Sequence, residues 1–334
     1  MRKRSPGKVP IAFLRRFVLS RLGGIRDDVS QGPGVGRDFA ATKCGDIWII
    51  SSSDPVTGAQ TLLGKIAVNV ATNDVSTSGI RPAWLSMTVL MPMDFASRKA
   101  ERLFEDINAQ AKQLNVAVVG GHTEYVDYIA KPIVIATAMG ASTTRPKLPS
   151  DVRPGDLLLL VGDVGIEGTA ILATEMQKKL ARIGIPRSLL SKAQNLIEET
   201  SVMRMAMHLA EFEAVKSMHD PTEGGLVGGI YEMSVASGLG FEAKLDGVSM
   251  RHETDVIARG LKLDPLKLIS SGALLASCSP DGASDVLREI GRSGVGIEVI
   301  GEFKANEAER FVTKGGRKVA IKDAPSDELW RAIG

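Results

Sequence analysis

The most informative segment of the chain is residues 67–82, which read Ala-Val-Asn-Val-Ala-Thr-Asn-Asp-Val-Ser-Thr-Ser-Gly-Ile-Arg-Pro. Small and apolar side chains are mixed along this segment and predict a helix over residues 59–79. Asp74 ends the apolar run. A carboxylate at the end of a buried element is costly unless it is paired or bound to a metal ion. The segment therefore predicts a buried helix that carries an acid with a specific partner.

Two further acids precede this helix. Asp38 closes the glycine-rich segment Gly32-Pro-Gly-Val-Gly-Arg-Asp, and Asp54 stands in Ser-Ser-Asp-Pro-Val-Thr-Gly after a predicted strand. Closely spaced glycines let backbone amides surround an anion, and Mg²⁺ binds one or two carboxylates together with phosphate oxygens. The pattern indicates a site for Mg²⁺ and a nucleoside triphosphate. The alternatives are a flexible turn for the glycines and turn or cap roles for each Asp.

A second polar group follows the strand predicted at residues 116–119, in Gly120-Gly121-His122-Thr123-Glu124. Paired glycines at a strand end permit close backbone approach, and His122 is a candidate proton carrier or phosphate ligand. A structural hydrogen bond is the alternative for this histidine. A third group, Asp220-Pro-Thr222-Glu-Gly-Gly, precedes a predicted helix, and the free amides at its start can hold an anion.

Composition limits the function classes. The 334 residues are 44% hydrophobic and 24% charged, which excludes a disordered or collagen-like chain. The 41 basic and 39 acidic residues argue against a dedicated nucleic-acid binder. Cys44 and Cys278 cannot build a disulfide framework or a thiolate zinc site. The longest purely apolar run, residues 157–161, is far below the ~20 residues of a membrane span. We expect a cytoplasmic protein that contacts neither nucleic acid nor membrane.

The chain divides into three parts. Residues 1–30 form a basic arm, in which Leu14, Phe17, Val18 and Leu22 predict a short docked helix, with nucleic-acid or membrane contact as the alternative. Residues 142–156 contain three prolines without periodicity and predict a boundary between domains at 31–145 and 155–334. Strands and helices alternate with hairpin-like gaps, so we predict an α+β fold rather than a doubly wound parallel sheet.

The remaining predicted strands are 45–51, 84–90, 133–138, 157–161, 240–244, 272–278, 296–303 and 311–321, and the remaining helices are 95–114, 167–181, 187–212, 224–237 and 282–293.

Taken together and in this order, the motifs resemble the PurM-like (AIR synthase-related) superfamily, and within it the hydrogenase-maturation, HypE-like branch. The resemblance runs from about residue 8 to 321. It implies an N-terminal domain whose strands form a β-barrel shared across a homodimer, and a C-terminal α+β domain. It also implies that ATP and Mg²⁺ bind between them. The matching residues are Asp38, Asp54 and Asp74 for the metal, Gly34, Gly36, Asn73, Gly120, Gly121, Asp220 and Thr222 for the nucleotide, and His122 and Glu124 for catalysis.

The chemistry implied by the resemblance is transfer of the γ-phosphate to an amide, carbamoyl or phosphate oxygen of an acceptor, either a small molecule or a group presented by a protein. The HypE-like branch carries a C-terminal cysteine, whereas both cysteines here are internal, and Glu223 stands where the branch tends to have Arg. Two alternatives to the enzyme therefore stay open. One is a non-catalytic nucleotide-binding regulatory or assembly protein. The other is a HypE-type dehydratase that uses an external thiol.

Overall fold

The computed structural model describes residues 6–57 and 61–333, in which the chain forms two β-sheets with helices packed on them. The first sheet has six strands in the order β1-β2-β3-β6-β4-β5. β4 and β5 are parallel, and the other neighbours are antiparallel. The strands are β1 (Val29–Gln31), β2 (Ala40–Cys44), β3 (Ile47–Val56), β4 (Trp84–Pro92), β5 (Ala117–Val126) and β6 (Ile133–Ser142).

Two long helices cover one face of this sheet, and a short one lies in the N-terminal arm. They are α1 (Ile11–Phe13), which continues as a π-helical turn over Leu14–Val18, α2 (Leu63–Thr77) and α3 (Ser97–Leu114). α3 buries Leu103, Ile107 and Leu114 at helical spacing, and it ends at Asn115 in the left-handed conformation. The predicted helix at 95–114 is thus confirmed. The helix predicted at 59–79 is observed as α2. Ala59 and Gln60 of that predicted helix lie outside the described residues.

The second sheet has seven strands in the order β13-β12-β9-β11-β7-β10-β8. β9 and β12 are parallel, and the other neighbours are antiparallel. β7 lies inside the sheet, and its Leu-rich sequence is buried on both faces. The strands are β7 (Leu157–Val161), β8 (Val215–His219), β9 (Gly240–Lys244), β10 (Leu274–Cys278), β11 (Ile297–Lys304), β12 (Arg310–Lys314) and β13 (Arg317–Ala320).

Helices of the second half pack on both faces of this sheet. α8 contributes Leu226 and Ile230 to the core on one face, while Ala206 and Val286 belong to the core on the other. The helices are α4 (Ile166–Glu175), α5 (Gln177–Arg182), α6 (Arg187–Asn195), α7 (Met203–Ala210), α8 (Gly225–Ser237), α9 (His252–Leu261), α10 (Pro280–Arg292) and α11 (Glu328–Ile333). Short 3-10 helices lie at Pro149–Asp151, Leu196–Glu199 and Pro265–Lys267.

The two halves share an apolar core. Ile66 and Val68 of α2 belong to the same buried cluster as Leu172 of α4 and Leu196. Because this continuous core packs α2 against the second half, residues at the C-terminal end of α2 are held against it. The observed architecture is the predicted α+β fold with two sheets, while the exact domain limits and the barrel across a homodimer stay predictions.

Several predicted elements were wrong in extent. The single helix predicted at 187–212 is interrupted after the 3-10 turn at Leu196–Glu199, and the strand predicted at 311–321 is a hairpin that turns at Gly315 and Gly316. Both glycines have positive φ, which such a tight turn requires. Strands β1, β2 and β8 and helices α9 and α11 were not predicted, because they are short or lie in polar sequence.

The basic arm differs from the prediction of a docked helix. Phe13 and Phe17 are 42% and 46% exposed, and Ile25 is fully exposed, so the apolar residues of the arm do not enter the core. Leu14–Val18 is a π-helical turn, too short to present a regular apolar stripe. Within the described residues no helix is long and apolar enough to cross a membrane.

Candidate functional site

Four aspartates converge where the first sheet, α2 and the second sheet meet. Asp38 precedes β2, Asp54 lies on β3, Asp74 lies in the last turn of α2, and Asp220 follows β8. Asp74 and Asp220 each interact electrostatically with the other three acids. The structure thus brings together the three acids predicted as metal ligands and adds a fourth, which the sequence had indicated only as a nucleotide contact.

Asp74 is almost fully buried, and Ser52 Oγ on β3 donates a hydrogen bond of 2.6 Å to its Oδ2. Burial and the neighbouring charges of Asp54, Asp220 and Asp38 raise the pKa of Asp74 well above its usual value. The Ser52 hydrogen bond acts in the opposite direction. Burying an acid among like charges lowers the stability of the folded protein. Such an arrangement is typical of a cation-binding site.

Asp220 is 1% exposed, and no N–H or hydroxyl group of the described residues donates a hydrogen bond to its carboxylate oxygens. Burial and the charge of Asp38 raise its pKa well above the usual value, although His219 and a hydrogen bond with the Asp74 carboxyl group oppose this shift. A buried carboxylate that faces another carboxyl group and has no such donor from the protein is suited to a cation. This role was missed from the sequence because β8, the short buried strand that Asp220 follows, was not predicted.

His219 is the residue of the site that the sequence analysis missed. Its Nδ1 lies 2.6 Å from Asp38 Oδ1 and its Nε2 lies 3.3 Å from Glu232 Oε2 of α8. Burial disfavours its charge, but Asp38 and Glu232 together raise the pKa of His219 to about 10. Burial of Glu232 is likewise outweighed by Lys8 and His219, which lower its pKa to about 2. His219 is therefore an imidazolium that holds Asp38 at the edge of the acid cluster.

The glycine-rich loop reaches the site by packing on α8. Gly36 has a φ of +72°, and a Cβ there would lie 2.0 Å from the backbone oxygen of Glu232. Only glycine permits this approach, which places Asp38 beside His219. At Gly34 a Cβ would meet the Arg37 side chain, and Arg37 donates a hydrogen bond to the Gly32 carbonyl. The loop is thus shaped by contacts within the protein, and its predicted role over phosphates stays a prediction.

Asn73, predicted as a nucleotide contact, uses its side-chain amide for hydrogen bonds within the protein. Its Nδ2 donates to the Thr200 carbonyl at 2.9 Å, and its Oδ1 accepts from the Val202 amide at 2.8 Å. These two backbone groups are available because the helix predicted at 187–212 is interrupted there. Asn73 is fully buried, so it fastens the end of α2 and thereby positions Asp74.

Gly120 and Gly121 do not end a strand, because β5 continues through them to Val126. The pairing with β4 shifts after Leu85, so that Val119 is skipped. At Gly121 a Cβ would lie 1.9 Å from the Met87 backbone oxygen, whereas at Gly120 the nearest atom would be 3.9 Å away. In this chain Gly121 serves the close contact of two strands at a bulge.

His122 and Glu124 bind each other, with 3.1 Å between Nε2 and Oε2, and both are well exposed. Cross-strand pairing aligns Gly121 of β5 with Met87 of β4, then Ala136 of β6 and Asp54 of β3, so these four residues form one row across the sheet. Three strand spacings separate the ends of this row, roughly 14 Å. Since side chains alternate along a strand, His122 and Glu124 lie on the opposite face from Asp54. The structure does not bring the predicted catalytic pair to the acid cluster of the same chain.

The start of α8 is occupied from within the protein. The Gly224 amide donates a hydrogen bond of 2.7 Å to Asp327 Oδ2, and the Thr222 carbonyl accepts one from the Gly225 amide. The sequence predicted that the start of α8 can bind an anion. In the structure, the Asp327 carboxylate occupies that position. Thr222 lies two residues from Asp220 and is partly exposed.

The donors of the cluster fit Mg²⁺. All are carboxylates or hydroxyls, the oxygen donors that this ion prefers, and Asp220 and Asp74 are the buried members. In residues 6–57 and 61–333, no three side chains of His, Cys, Asp or Glu form a ready-made metal cage. Mg²⁺ commonly uses one or two carboxylates and completes its shell with water and phosphate oxygens, so a cage is not required.

Comparison with known proteins identifies the family. The family described as AIR synthase related protein matches in two parts, its N-terminal domain over residues 36–142 and its C-terminal domain over residues 153–314. Carbamoyl dehydratase HypE of Azotobacter vinelandii is 29% identical over 255 residues, which are 75% of this chain and 72% of that protein. A hydrogenase expression/formation protein of Methanocaldococcus jannaschii is 28% identical over 333 residues, which are 94% of this chain and 93% of that protein.

Solved structures agree with the fold. The hydrogenase maturation protein HypE in complex with ATP has a TM-score of 0.69 and 20% identity, and the match covers 95% of this chain and 94% of that chain. The two sheets described above are thus those of the PurM-like two-domain fold. With both of its domains matched in order, the chain belongs to the AIR synthase-related family.

Proposed function

We propose that the protein is an ATP- and Mg²⁺-dependent enzyme that transfers the γ-phosphate to an oxygen of an acceptor. The observation that carries this proposal is the cluster of four aspartates, in which no N–H or hydroxyl group of the described residues donates to the buried Asp220 carboxylate. Phosphoryl transfer needs mainly positioning and neutralisation of charge. A cluster of acids placed between two domains, beside a glycine-rich loop, supports that chemistry.

Each residue contributes a definite part. Asp38, Asp54, Asp74 and Asp220 would hold Mg²⁺, and His219 keeps Asp38 at the edge of the same cluster. Bound Mg²⁺ supplies neutralisation of the triphosphate charge. Ser52 fixes the orientation of Asp74 through its hydrogen bond, and Asn73 fixes the helix end that carries it. The family relationship and the ATP complex of the structurally similar HypE support ATP as the nucleotide.

The relatives support an order in which acceptor classes are tested. A protein named carbamoyl dehydratase is 29% identical, so a carbamoyl or amide oxygen is the first acceptor to test, and a phosphate oxygen is the second. The acceptor is either a small molecule or a group presented by a partner protein. His122 and Glu124 remain the predicted catalytic pair. They lie on the opposite face from Asp54, so they would act only if a second chain brought them to the site.

A carbamoyl dehydratase that uses an external thiol is the second candidate, and the placement of the two cysteines favours an external group. Cys44 ends β2 and pairs with Ile47 at the start of β3. Seven residues of β3, or roughly 23 Å, separate Ile47 from Asp54. Cys278 is buried, and burial raises the pKa of its thiol to about 11. Neither thiol stands at the acid cluster, so the carbamoyl group would be presented from outside the described residues.

Calorimetric titration with a non-hydrolysable ATP analogue, with and without Mg²⁺, tests the proposal. We expect Mg²⁺-dependent binding by the wild-type protein and loss of that binding in Asp74→Asn. Asp46→Asn, at the exposed β2–β3 turn, is the matched control and retains wild-type affinity. Unchanged affinity in Asp74→Asn would refute the metal assignment.

Turnover then separates an enzyme from a binding protein. ADP release is measured with carbamoyl, amide and phosphate acceptors, alone and with a thiol compound. Acceptor-dependent ADP release supports the enzyme, and release that requires the thiol supports the dehydratase. Tight Mg²⁺-dependent binding without ADP release from any acceptor would instead identify a regulatory or assembly protein.

A further inference from the structure

The N-terminal arm is fastened to the second domain at Lys8. Its backbone amide donates a hydrogen bond of 2.7 Å to Glu223 Oε2, and its Nζ lies 2.9 Å from Glu232 Oε1. Gly7, with a φ of +105°, fits between the Trp330 indole and the Glu223 carboxylate, where a Cβ would lie within 3 Å of both. The arm is thus placed by specific contacts of two residues, although the segment after it is exposed.

A continuous chain of charges leads from this arm lysine to the acid cluster. Lys8 contacts one carboxylate oxygen of Glu232, whose other oxygen lies 3.3 Å from His219 Nε2. The opposite nitrogen of His219 contacts Asp38 at 2.6 Å. Positive and negative groups alternate along the chain, and Glu232 and His219 are less than one-tenth exposed.

This arrangement differs from an ordinary surface ion pair, which contributes little. Glu232 is buried and stands between Lys8 and His219, whereas the Lys8 side chain is half-exposed. Without Lys8, the Glu232 carboxylate would contact His219 alone, and the His219 ring, which also contacts Asp38, would be held less firmly in place. Removal of one partner of a charged network disturbs the buried members that remain.

We propose that Lys8 is a positioning residue of the nucleotide site, which acts through Glu232 and His219 to hold the Asp38 carboxylate toward the acid cluster. This inference rests on the proposed function, because it assigns Lys8 to the same site. It makes the N-terminal arm part of the functional unit.

The test compares Lys8→Met, Lys8→Arg and the control Arg15→Met, which removes an exposed arm cation. Calorimetry measures the Mg²⁺-dependent affinity for the non-hydrolysable ATP analogue. Loss of residues that orient a metal ligand typically weakens binding roughly 10- to 100-fold. We expect a weakening of that order in Lys8→Met, near-complete rescue in Lys8→Arg, and wild-type affinity in Arg15→Met.

Hydrogen exchange of the nucleotide-free protein gives an independent readout. If Lys8 only fastens the arm, Lys8→Met will increase exchange in residues 6–10 alone, and that result overturns the inference. We expect increased exchange also at residues 36–40 and 217–221. A protein that binds no nucleotide in its wild-type form would refute the proposed function, while the exchange pattern would still decide whether Lys8 positions Asp38.

A double-mutant cycle tests the path. Because Lys8 acts through Glu232, the effects of Lys8→Met and Glu232→Gln on Mg²⁺-dependent affinity should be clearly non-additive. Additive effects would show that the two residues act separately and would contradict the proposed chain. All variants are compared at equal folded fraction, so that a loss of folded protein is not mistaken for a loss of affinity.

Discussion

At the scale of single residues, the two adjacent glycines of β5 are not equivalent. Gly121 has a φ of +146° and faces the Met87 carbonyl, whereas a Cβ at Gly120 would make only an ordinary contact of 3.9 Å with Ser86 Oγ. The same dipeptide that the sequence presents as a candidate nucleotide loop therefore contains one residue that the strand pairing requires. The pairing of β4 with β5 depends on it, because the bulge at Val119 brings the two backbones together.

We predict that Gly121→Ala destabilises the protein by at least about 2 kcal/mol, since its Cβ would lie 1.9 Å from a backbone oxygen. Gly120→Ala is the matched control and should change the free energy of unfolding by no more than about 0.5 kcal/mol. Chemical denaturation of both variants measures the difference. Equal stability of the two variants would contradict the strand geometry described here.

At the scale of an element, the first turn of α4 carries an unusual carboxyl group. Glu167 is 3% exposed, and its Oε2 has no hydrogen-bond partner within the described chain. Burial, together with the charges of Asp327 and Glu223, raises the pKa of Glu167 to about 7, although Ser271 opposes the shift. Burial also raises the pKa of Asp327 to about 6, against three backbone hydrogen bonds.

These raised pKa values give stability a definite pH dependence. The folded protein binds the Glu167 proton more tightly than the unfolded chain, whose pKa is near 4.5. The stabilisation is thus complete below pH 4.5 and is lost as the pH rises to about 7. Asp327 adds a similar loss between pH 3.8 and about 6.

We predict that Glu167→Gln removes the Glu167 share of the stability loss between pH 5 and pH 8, while the shares of Asp327 and His219 remain. The variant should be more stable than wild type at pH 8, by at most about 3 kcal/mol, because no buried charge forms. Melting temperatures across this pH range measure the effect. Glu253→Gln, in the first turn of α9, is the control and should leave the pH profile unchanged. A parallel profile for wild type and Glu167→Gln would refute the assignment.

At the scale of the whole molecule, β5 forms an unpaired edge of the first sheet. Val118, Val119 and Tyr125 are 49%, 58% and 54% exposed on this strand, and in the described residues β4 is its one neighbour. A long exposed apolar edge strand pairs readily with another chain. We propose that β5 is the surface through which two copies associate, in line with the homodimer that the resemblance implies.

We predict that the wild-type protein is a dimer and that Val119→Lys makes it monomeric, because a charge on the edge opposes strand pairing. Light scattering after size-exclusion chromatography measures the mass. Val299→Lys is the matched control, since Val299 is also an exposed valine at a register shift, on β11 of the second sheet. A monomeric wild type, or a Val119→Lys variant that stays dimeric, would contradict this surface.

The sequence by itself determined the family-level fold, the long helix α3, and the acids Asp38, Asp54 and Asp74. These features are local: helical periodicity, glycine spacing and acids after apolar runs are all visible within short windows. Only the tertiary structure decided which of the predicted residues meet. It joined Asp220 to the acids, brought His219 to Asp38 and Lys8 to Glu232, and joined Asn73 to the backbone near Thr200. It also separated His122 and Glu124 from the cluster. Such contacts join residues far apart in the chain, and they depend on sheet register and on the packing between the two domains.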